Sequence, residues 1–570
     1  MAFSLPTRKE WEIMFDNLSK REKSVFLLLF LATWVLGVLI LIRVDRHYST
    51  QLPANGGDLV EGIVGVPRFI NPLLALSDAD RDLTRIVYAG LMKADGKGGL
   101  APQLADHYDV SADGLSYTFT LRDNLFWHDG ERLTAADVVF TVSQAKNPAI
   151  RSPRLANWEG VGVETPDDKT IVFHLKKPYA PFLESTTMGI MPKHLWEKLT
   201  PEEFGLSNLN THPVGSGPFE ISTVTKNGTG SITEIVLARF NKYAPTPAHI
   251  STLTFRFYQT DKEFEQAFGN GDLDLASIDP ASVPNSKSLL EIQLPRVVGV
   301  FFNQDNYVPF KDAALRDAFS RAVDRNRIIR EAKGGHARAT ALPIPPGTAG
   351  YDVSLDVTTF DMDGARAALA KAGYGDTNGN SIIDKKLAKK DKDATDIRFT
   401  LATLNTPELI KTAEIIRATW KDLGVEVNVQ MYEQGDLEQN IIRPRNYDAL
   451  LFGQAIGYFP DPFAFWHTSQ RNHPGLNLAL YANTKVDKAL DDARTTTDNT
   501  KRIELYKTFL TEYTKDEPAI ILYSPTYAYI VPKELRGINI ENIPFPQERF
   551  SSIETWYTHT SSVWNIFIKK

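Results

Sequence analysis

Apolar and polar positions keep a helical period in some stretches of the chain, a period of two in others, and no period at all in one. Residues 25–42, VFLLLFLATWVLGVLILI, are the aperiodic stretch: eighteen residues without a charge or a proline. At about 1.5 Å per helical residue they reach about 27 Å, close to the roughly 30 Å hydrocarbon core of a bilayer. Ahead of them, Thr7-x-x-Glu10 and Ser19-x-x-Glu22 read as capping boxes, and Trp11, Met14, Phe15 and Leu18 recur at helical spacing. That first helix suits either the inner leaflet or a partner. After the apolar stretch, residues 49–57 (STQLPANGG) have the composition of a tether.

Beyond the tether the periods alternate. Residues 58–66 read as a short strand and 80–92 as a helix with Leu83, Ile86, Val87 and Leu91 on one face. Tyr117, Phe119 and Leu121 alternate with polar residues as a half-buried strand, Asp129-Gly130 turns the chain, and Thr134-x-x-Asp137 caps a helix carrying Val138, Val139 and Val142. Strands follow at 170–175, 219–224, 232–239, 250–258, 272–276 and 297–303; the last, VVGVFFN, is apolar up to its closing Asn303 and is expected at the centre of a sheet. Asp312 and Asp324 start helices. Residues 397–404, a helix opened by Thr406-Pro407-Glu408 and closed by Gly424, and residues 425–432 form a βαβ unit, hence a parallel strand pair. A strand at 447–452, helices at 486–494 and 501–514, and strands at 519–523 and 526–531 complete an α/β pattern.

Length and charge narrow the class. A chain of 570 residues exceeds one compact core, so two or more lobes are expected. A net charge of -7 offers no basic field for nucleic acid. The absence of cysteine removes disulfides, thiolate metal sites, a thiol nucleophile and a lipidated N-terminal cysteine. Arg8, Lys9, Lys20, Arg21 and Lys23 precede the apolar stretch and only Arg43 and Arg46 closely follow it, which places the N-terminus in the cytoplasm and the remainder outside. A cleaved signal peptide is the competing reading, but its apolar core usually runs to about 7–15 residues before a small-residue cleavage site. Here Arg43-Val-Asp-Arg-His-Tyr48 follows, so a retained signal anchor is favoured. G-x-S-x-G, H-E-x-x-H and G-x-x-x-x-G-K-[ST] are absent, and no enzyme is expected.

Seven ordered segments carry a resemblance: NPLLALSDADRDLTRIVYAGLM, GLAPQLADHYDVSADGLSYTFTLRDNLFWHDGERLTAADVVFTV, PVGSGPF, GDLDLA, VFFN, ALRDAFSRAVDR and FPDPFAFW. The chain resembles the bacterial extracellular solute-binding proteins of the peptide/nickel class, which deliver oligopeptides to ABC transporters. The resemblance implies a two-lobed periplasmic-binding-protein-like α/β fold of type II, with two hinge strands and an extra α+β subdomain, beside the one N-terminal transmembrane helix. Lobe I would comprise 57–100, 212–303 and 533–570, the subdomain 101–211, and lobe II 304–532. Residues 1–24 would be a cytoplasmic tail, 25–42 the span and 43–56 the linker. A peptide or peptide-like solute would sit in the interlobe cleft of a monomeric receptor and pass to permease subunits, with no cofactor. A sensory or scaffold receptor, or a binder of an oligosaccharide or metal chelate, is the alternative.

The resemblance also assigns candidate residues. In relatives a carboxylate in a loop corresponding to Gly457-Tyr-Phe-Pro-Asp-Pro462 holds the peptide's α-ammonium, and Tyr458 stands where it would be. A buried ammonium without a counterion is costly. Asp461 either shapes the turn or contacts ligand, and Phe459 lies beside it. Ser77 and Asp78 fall on a segment that lines lobe I, where Asp78 either replaces the missing carboxylate or is a solvated loop residue. Gln454, Ala455 and Ile456 replace an aromatic-containing run. Arg443 and Arg445 are candidates for a ligand carboxylate or are solvated, and Trp466 and His467 are expected to pack beneath the cleft. No histidine cluster has metal-ligand spacing. Asp376-x-Asn378-x-Asn380 resembles the start of a calcium loop but has Ser381 for the glycine and Leu387 for the closing glutamate, so a solvated loop is expected. The glycines of PVGSGPF are expected to make a turn, since strands follow them.

Overall fold

Both N-terminal capping boxes form. Thr7 and Ser19 each exchange hydrogen bonds with the glutamate three residues on, and they start helices Arg8–Asp16 and Lys20–Tyr48. The second helix carries the whole apolar stretch without a break, and none of its residues is buried. In this computed structural model, which describes residues 7–278, 283–387, 393–457 and 460–567, these helices belong to a small unit made from Met1–Gly56 and Tyr557–Lys570. Where a tether was expected over 49–57, Ser49–Ala54 is instead a strand, paired antiparallel with His559–Trp564 so that Ser49 faces Trp564 and Ala54 faces His559. Pro53 is tolerated because a two-stranded ribbon leaves one side of each strand unpaired. The pairing partner lies some five hundred residues away in sequence, beyond the reach of local composition.

The second unit, Gly57–Trp556, contains three main sheets. Asp58–Val64, Thr252–Tyr258, Ile232–Arg239 and Phe219–Lys226 form the first, with only the Asp58–Val64 pairing parallel. An antiparallel sheet of Ala105–Val110, Ser116–Leu121, Thr170–His174 and Gly162–Glu164 forms the second, packed with helix Ala135–Ala145 around Phe119, Trp158 and Phe173. Its His128 joins two of the sequence motifs: the imidazole accepts from Gly215 N at 3.2 Å and donates to Gly217 O at 3.1 Å. Burial pushes this histidine down to about 4, so it stays neutral and can play both parts. A Cβ on Gly215 would lie 1.9 Å from the carbonyl oxygen of Val87, which is why this turn requires glycine.

In the third sheet the apolar strand Arg296–Phe302 is central, as its composition predicts, between Ala449–Ala455 and Ala519–Pro532. Arg398–Leu404 and Glu426–Tyr432 are parallel and joined by helix Pro407–Lys421, the expected βαβ unit. The strands expected at 519–523 and 526–531 are one strand, Ala519–Pro532. Its first half pairs with Arg296–Phe302 and its second with Lys287–Gln293, whose Ile292 packs in the core of the first sheet. Pro525, which reads as a break, lies where the strand changes partners. There the Ser524 hydroxyl donates to Leu294 O at 3.1 Å and accepts from Gln293 at 2.7 Å, joining the two chain crossings.

Two further expectations change. The helix expected over 80–92 is Asp78–Val87. Leu91 kept the helical spacing but lies in the core of the second sheet, and Gly90 packs against the Thr187 carbonyl. Residues 272–276 form no strand; Leu275 and Ala276 make single bridges to Glu61 and Ile530.

Candidate functional site

Ser77 starts helix Asp78–Val87, with its hydroxyl accepting from Asp80 N at 3.1 Å. Asp80 in turn accepts from the N–H groups of Arg68 and Phe69, at 2.7 and 2.8 Å, and so fixes the preceding loop. Ser77 is thus committed to the cap. Asp78 is solvent-exposed and lines a cavity of about 380 Å³ with Glu61, Asp82, Asp261 and Glu265. A second cavity, of about 290 Å³, is lined by Arg81, Arg85, Tyr88, Trp158, Glu184 and Glu548 among others. The Arg81 guanidinium, in the wall of the smaller cavity, is 3.8 Å from the Asp78 carboxylate in the wall of the larger.

Behind that pair lies a buried charge cluster. Arg549 holds Asp82 through two hydrogen bonds of 2.9 and 2.5 Å and Glu61 through one of 3.0 Å, and Tyr529 donates to Glu61 at 2.7 Å. Burial pushes both carboxyl groups up, while the guanidinium they share pulls them back. Neither Glu61 nor Asp82 is a free counterion, which leaves Asp78, Asp261 and Glu265 as the acidic face of the larger cavity.

Residues 454–457 approach the same region from the third sheet. Ala455 pairs with Arg296, and Ile456 N donates to Pro295 O at 2.8 Å. Gly457 has φ +85° and lies so close to Glu184, a wall of the smaller cavity, that an added Cβ would be 2.9 Å from its carboxylate. Gln454 is buried, with its Oε1 unpartnered. Tyr458 and Phe459 lie outside the described residues. Asp461 pairs with Arg494 at 2.9 Å, and Arg494 stacks over Phe463 at 4.2 Å and Tyr179 at 5.0 Å. Burial raises the Asp461 carboxyl against the pull of Arg494. Asp461 thus ties its loop to helix Thr484–Thr495 through this ion pair.

The arginines of this region differ in what they hold. Arg443 is half exposed, paired with Glu438 at 2.8 Å, and lines neither cavity. Arg445 spends its guanidinium on the carbonyls of Ile442, Arg471 and Gly475. Arg296 is a further arginine beside this region, which the sequence reading did not single out. It opens the central strand, its Nε is buried without a hydrogen-bond partner, and it lies within electrostatic reach of Asp78 and Arg81. Burial lowers its proton affinity and Asp78 restores part of it. A cation directly after Pro295, at the head of an otherwise apolar strand, was the available signal.

The remaining candidates are structural. Trp466 is buried against Tyr513 and Phe301, and His467 stacks on Phe463 at 4.1 Å. The Asp376 carboxylate accepts the N–H groups of Gly379, Asn380 and Ser381, while Asp384 holds Thr377 and Asp396 holds Asn378 and Asn380.

Comparison with known proteins agrees with this architecture. The family model for bacterial extracellular solute-binding proteins, family 5 Middle, matches residues 99–475. The oligopeptide-binding protein AppA of Bacillus subtilis is 28% identical over 525 residues, covering 89% of this chain and 93% of that protein. The dipeptide-binding protein of Escherichia coli is 27% identical, covering 86% of this chain and 93% of that one. The solved structure of AppA in complex with a nonapeptide superposes with a TM-score of 0.67, covering 89% of this chain and 99% of that chain.

Proposed function

The chain belongs to the bacterial extracellular solute-binding proteins, family 5, and on that premise we propose that it is a membrane-anchored receptor that captures a peptide and delivers it to an ABC permease. The observation that carries the reading is the shared strand Ala519–Pro532. One half packs with the first sheet and the other with the third, and the only other crossing described between these sheets is at 293–296. Two cores joined by two crossings can close on a ligand placed beside them. Asp78, Arg81 and Arg296 stand at that place, and the names of AppA and the dipeptide-binding protein support a peptide as the solute. Covalent chemistry has no part; the work done is a population shift toward the closed state.

The acidic face of the larger cavity suits the peptide's α-ammonium, with Asp78 supplying charge where Tyr458 replaces the usual carboxylate. Helix Lys20–Tyr48 holds the receptor at the outer face of the cell membrane, with the N-terminus in the cytoplasm. Thermal unfolding of the full chain in detergent, screened against peptide mixtures, tests the reading. A bound peptide at a hundredfold excess over Kd stabilises by about 2.7 kcal/mol. Asp78→Asn is expected to weaken a free-amine peptide more than its N-acetylated form. A library in which no peptide raises the melting temperature overturns the proposal.

A further inference from the structure

The small unit returns the far end of the chain to the end of the apolar helix. His559–Trp564 runs antiparallel to Ser49–Ala54, the strand that leaves that helix, so its last residue, Trp564, pairs with the first, Ser49. The Trp564 indole donates to Asp45 at 2.9 Å, within the helix's last turn. Asn565, one residue further, accepts from the Thr50 hydroxyl at 2.6 Å. The chain then forms the single turn Asn565–Phe567, on which Ile566 and Phe567 are 78% and 75% exposed.

Depth follows from the helix. If residues 25–42 fill the hydrocarbon, Asp45 stands about 4–5 Å above its edge at 1.5 Å per residue. That lies within the roughly 5–7 Å interfacial layer on each side of a bilayer. Trp564 is fixed at that level, where tryptophan is favoured because its ring is apolar and its N–H is polar. Arg43 and Arg46 stand at the same level and suit lipid headgroups. Two large apolar side chains exposed beside them are unfavourable in water and favourable in that layer.

We propose that residues 564–567 form a second membrane contact, with Trp564 in the headgroup layer and Ile566 and Phe567 inserted in the outer leaflet beside the helix. The strand pair then works as a strap that brings the chain back to the membrane and restrains swivelling about helix Lys20–Tyr48. This inference rests on the reading of Lys20–Tyr48 as a membrane anchor, so the test must separate the two.

The chain has no cysteine, so single cysteines can be labelled without background. Full-length Thr33→Cys, Ile566→Cys and Leu206→Cys variants, each carrying an environment-sensitive fluorophore, are reconstituted into phosphatidylcholine and phosphatidylglycerol vesicles. The lipids carry nitroxide quenchers either near the headgroup or deep in the acyl chain. Position 33 is mid-span and is expected to be quenched most by the deep nitroxide; Leu206, 85% exposed in the large unit, is the unquenched control. Position 566 is expected to lose roughly half its emission to the shallow nitroxide, with a blue-shifted maximum. Quenching at 33 with emission at 566 matching that at 206 overturns the second contact and leaves the anchor standing. Absence of quenching at 33 overturns the anchor, and the second contact with it.

Discussion

The first and third sheets of the large unit both rest on apolar cores and differ in the charged groups buried beside them. Around the third sheet the core is aromatic: Phe319 stacks on Trp420 at 4.6 Å, and Phe302, Phe310 and Phe399 close around them. Behind the first sheet, Arg549 with Glu61 and Asp82 occupies space that an apolar core would fill. An apolar core of equal shape is commonly as stable or more so than a buried ion cluster. The cluster therefore needs a reason besides stability, and its position supplies one: Glu61, Asp82 and Arg549 form the floor of the larger cavity. Under the proposed function, one core holds the fold, while the polar surface beside the other faces the peptide.

Substitutions can break that contrast. Arg549→Leu leaves two buried carboxylates without their cation and is expected to cost about 3–5 kcal/mol. Trp420→Ala, which opens a cavity, is expected to cost a similar ~3–5 kcal/mol. Their pH dependence differs. Without Arg549 the folded carboxyl groups hold protons at still higher pH than the unfolded ones, so stability is lost as pH rises through the folded values, and the Arg549→Leu deficit grows from acid to neutral pH. The Trp420→Ala deficit stays constant with pH. Denaturant unfolding of the full chain in detergent at several pH values separates the two.

The rim of the aromatic core sharpens the comparison. Glu517 caps helix Asn499–Asp516, with Oε2 buried and unpartnered. Burial, with Asp317 nearby, pushes its carboxyl up to about 7 against the pull of Arg325, Arg321 and Arg316. The folded state keeps a proton that the unfolded state releases near its ordinary value of 4.5, so this contribution is present below that value and lost as pH rises through about 7. Glu517→Gln is expected to gain on the wild type by on the order of 2 kcal/mol between pH 5 and pH 8, measured by the same unfolding series. A smaller effect is expected at the edge of the site, where Ser77→Ala removes the cap of helix Asp78–Val87 at a cost of about 1 kcal/mol.

The aromatic core was legible in sequence because its residues sit at regular periods: Leu315 and Phe319 along helix Ala313–Arg321, and Ala413, Ile416 and Trp420 along helix Pro407–Lys421; Val323 keeps the spacing but lies beyond the end of its helix. The charge cluster was not, since Arg549 comes from an aperiodic segment, PFPQERF, and meets Glu61 from nearly five hundred residues away. Ser524-Pro525 reads as a break because local composition cannot tell a turn from a strand that changes partners. Of the candidate site, the segments at 77–78 and 454–457 were named from the family pattern, and Arg296 pairs with Ala455 and interacts electrostatically with Asp78. Arg296 was not singled out, because a lone cation before VVGVFF looks like the end of a turn.

The central claim is that two cores close about the strand Ala519–Pro532 when peptide binds. Spin labels at Lys262→Cys, beside the first sheet, and Lys421→Cys, on the helix of the third, report it directly as a distance distribution with and without a peptide chosen by thermal shift. The account predicts a shift of that distribution to shorter distances that saturates with peptide. A distribution unchanged at saturating peptide would contradict it.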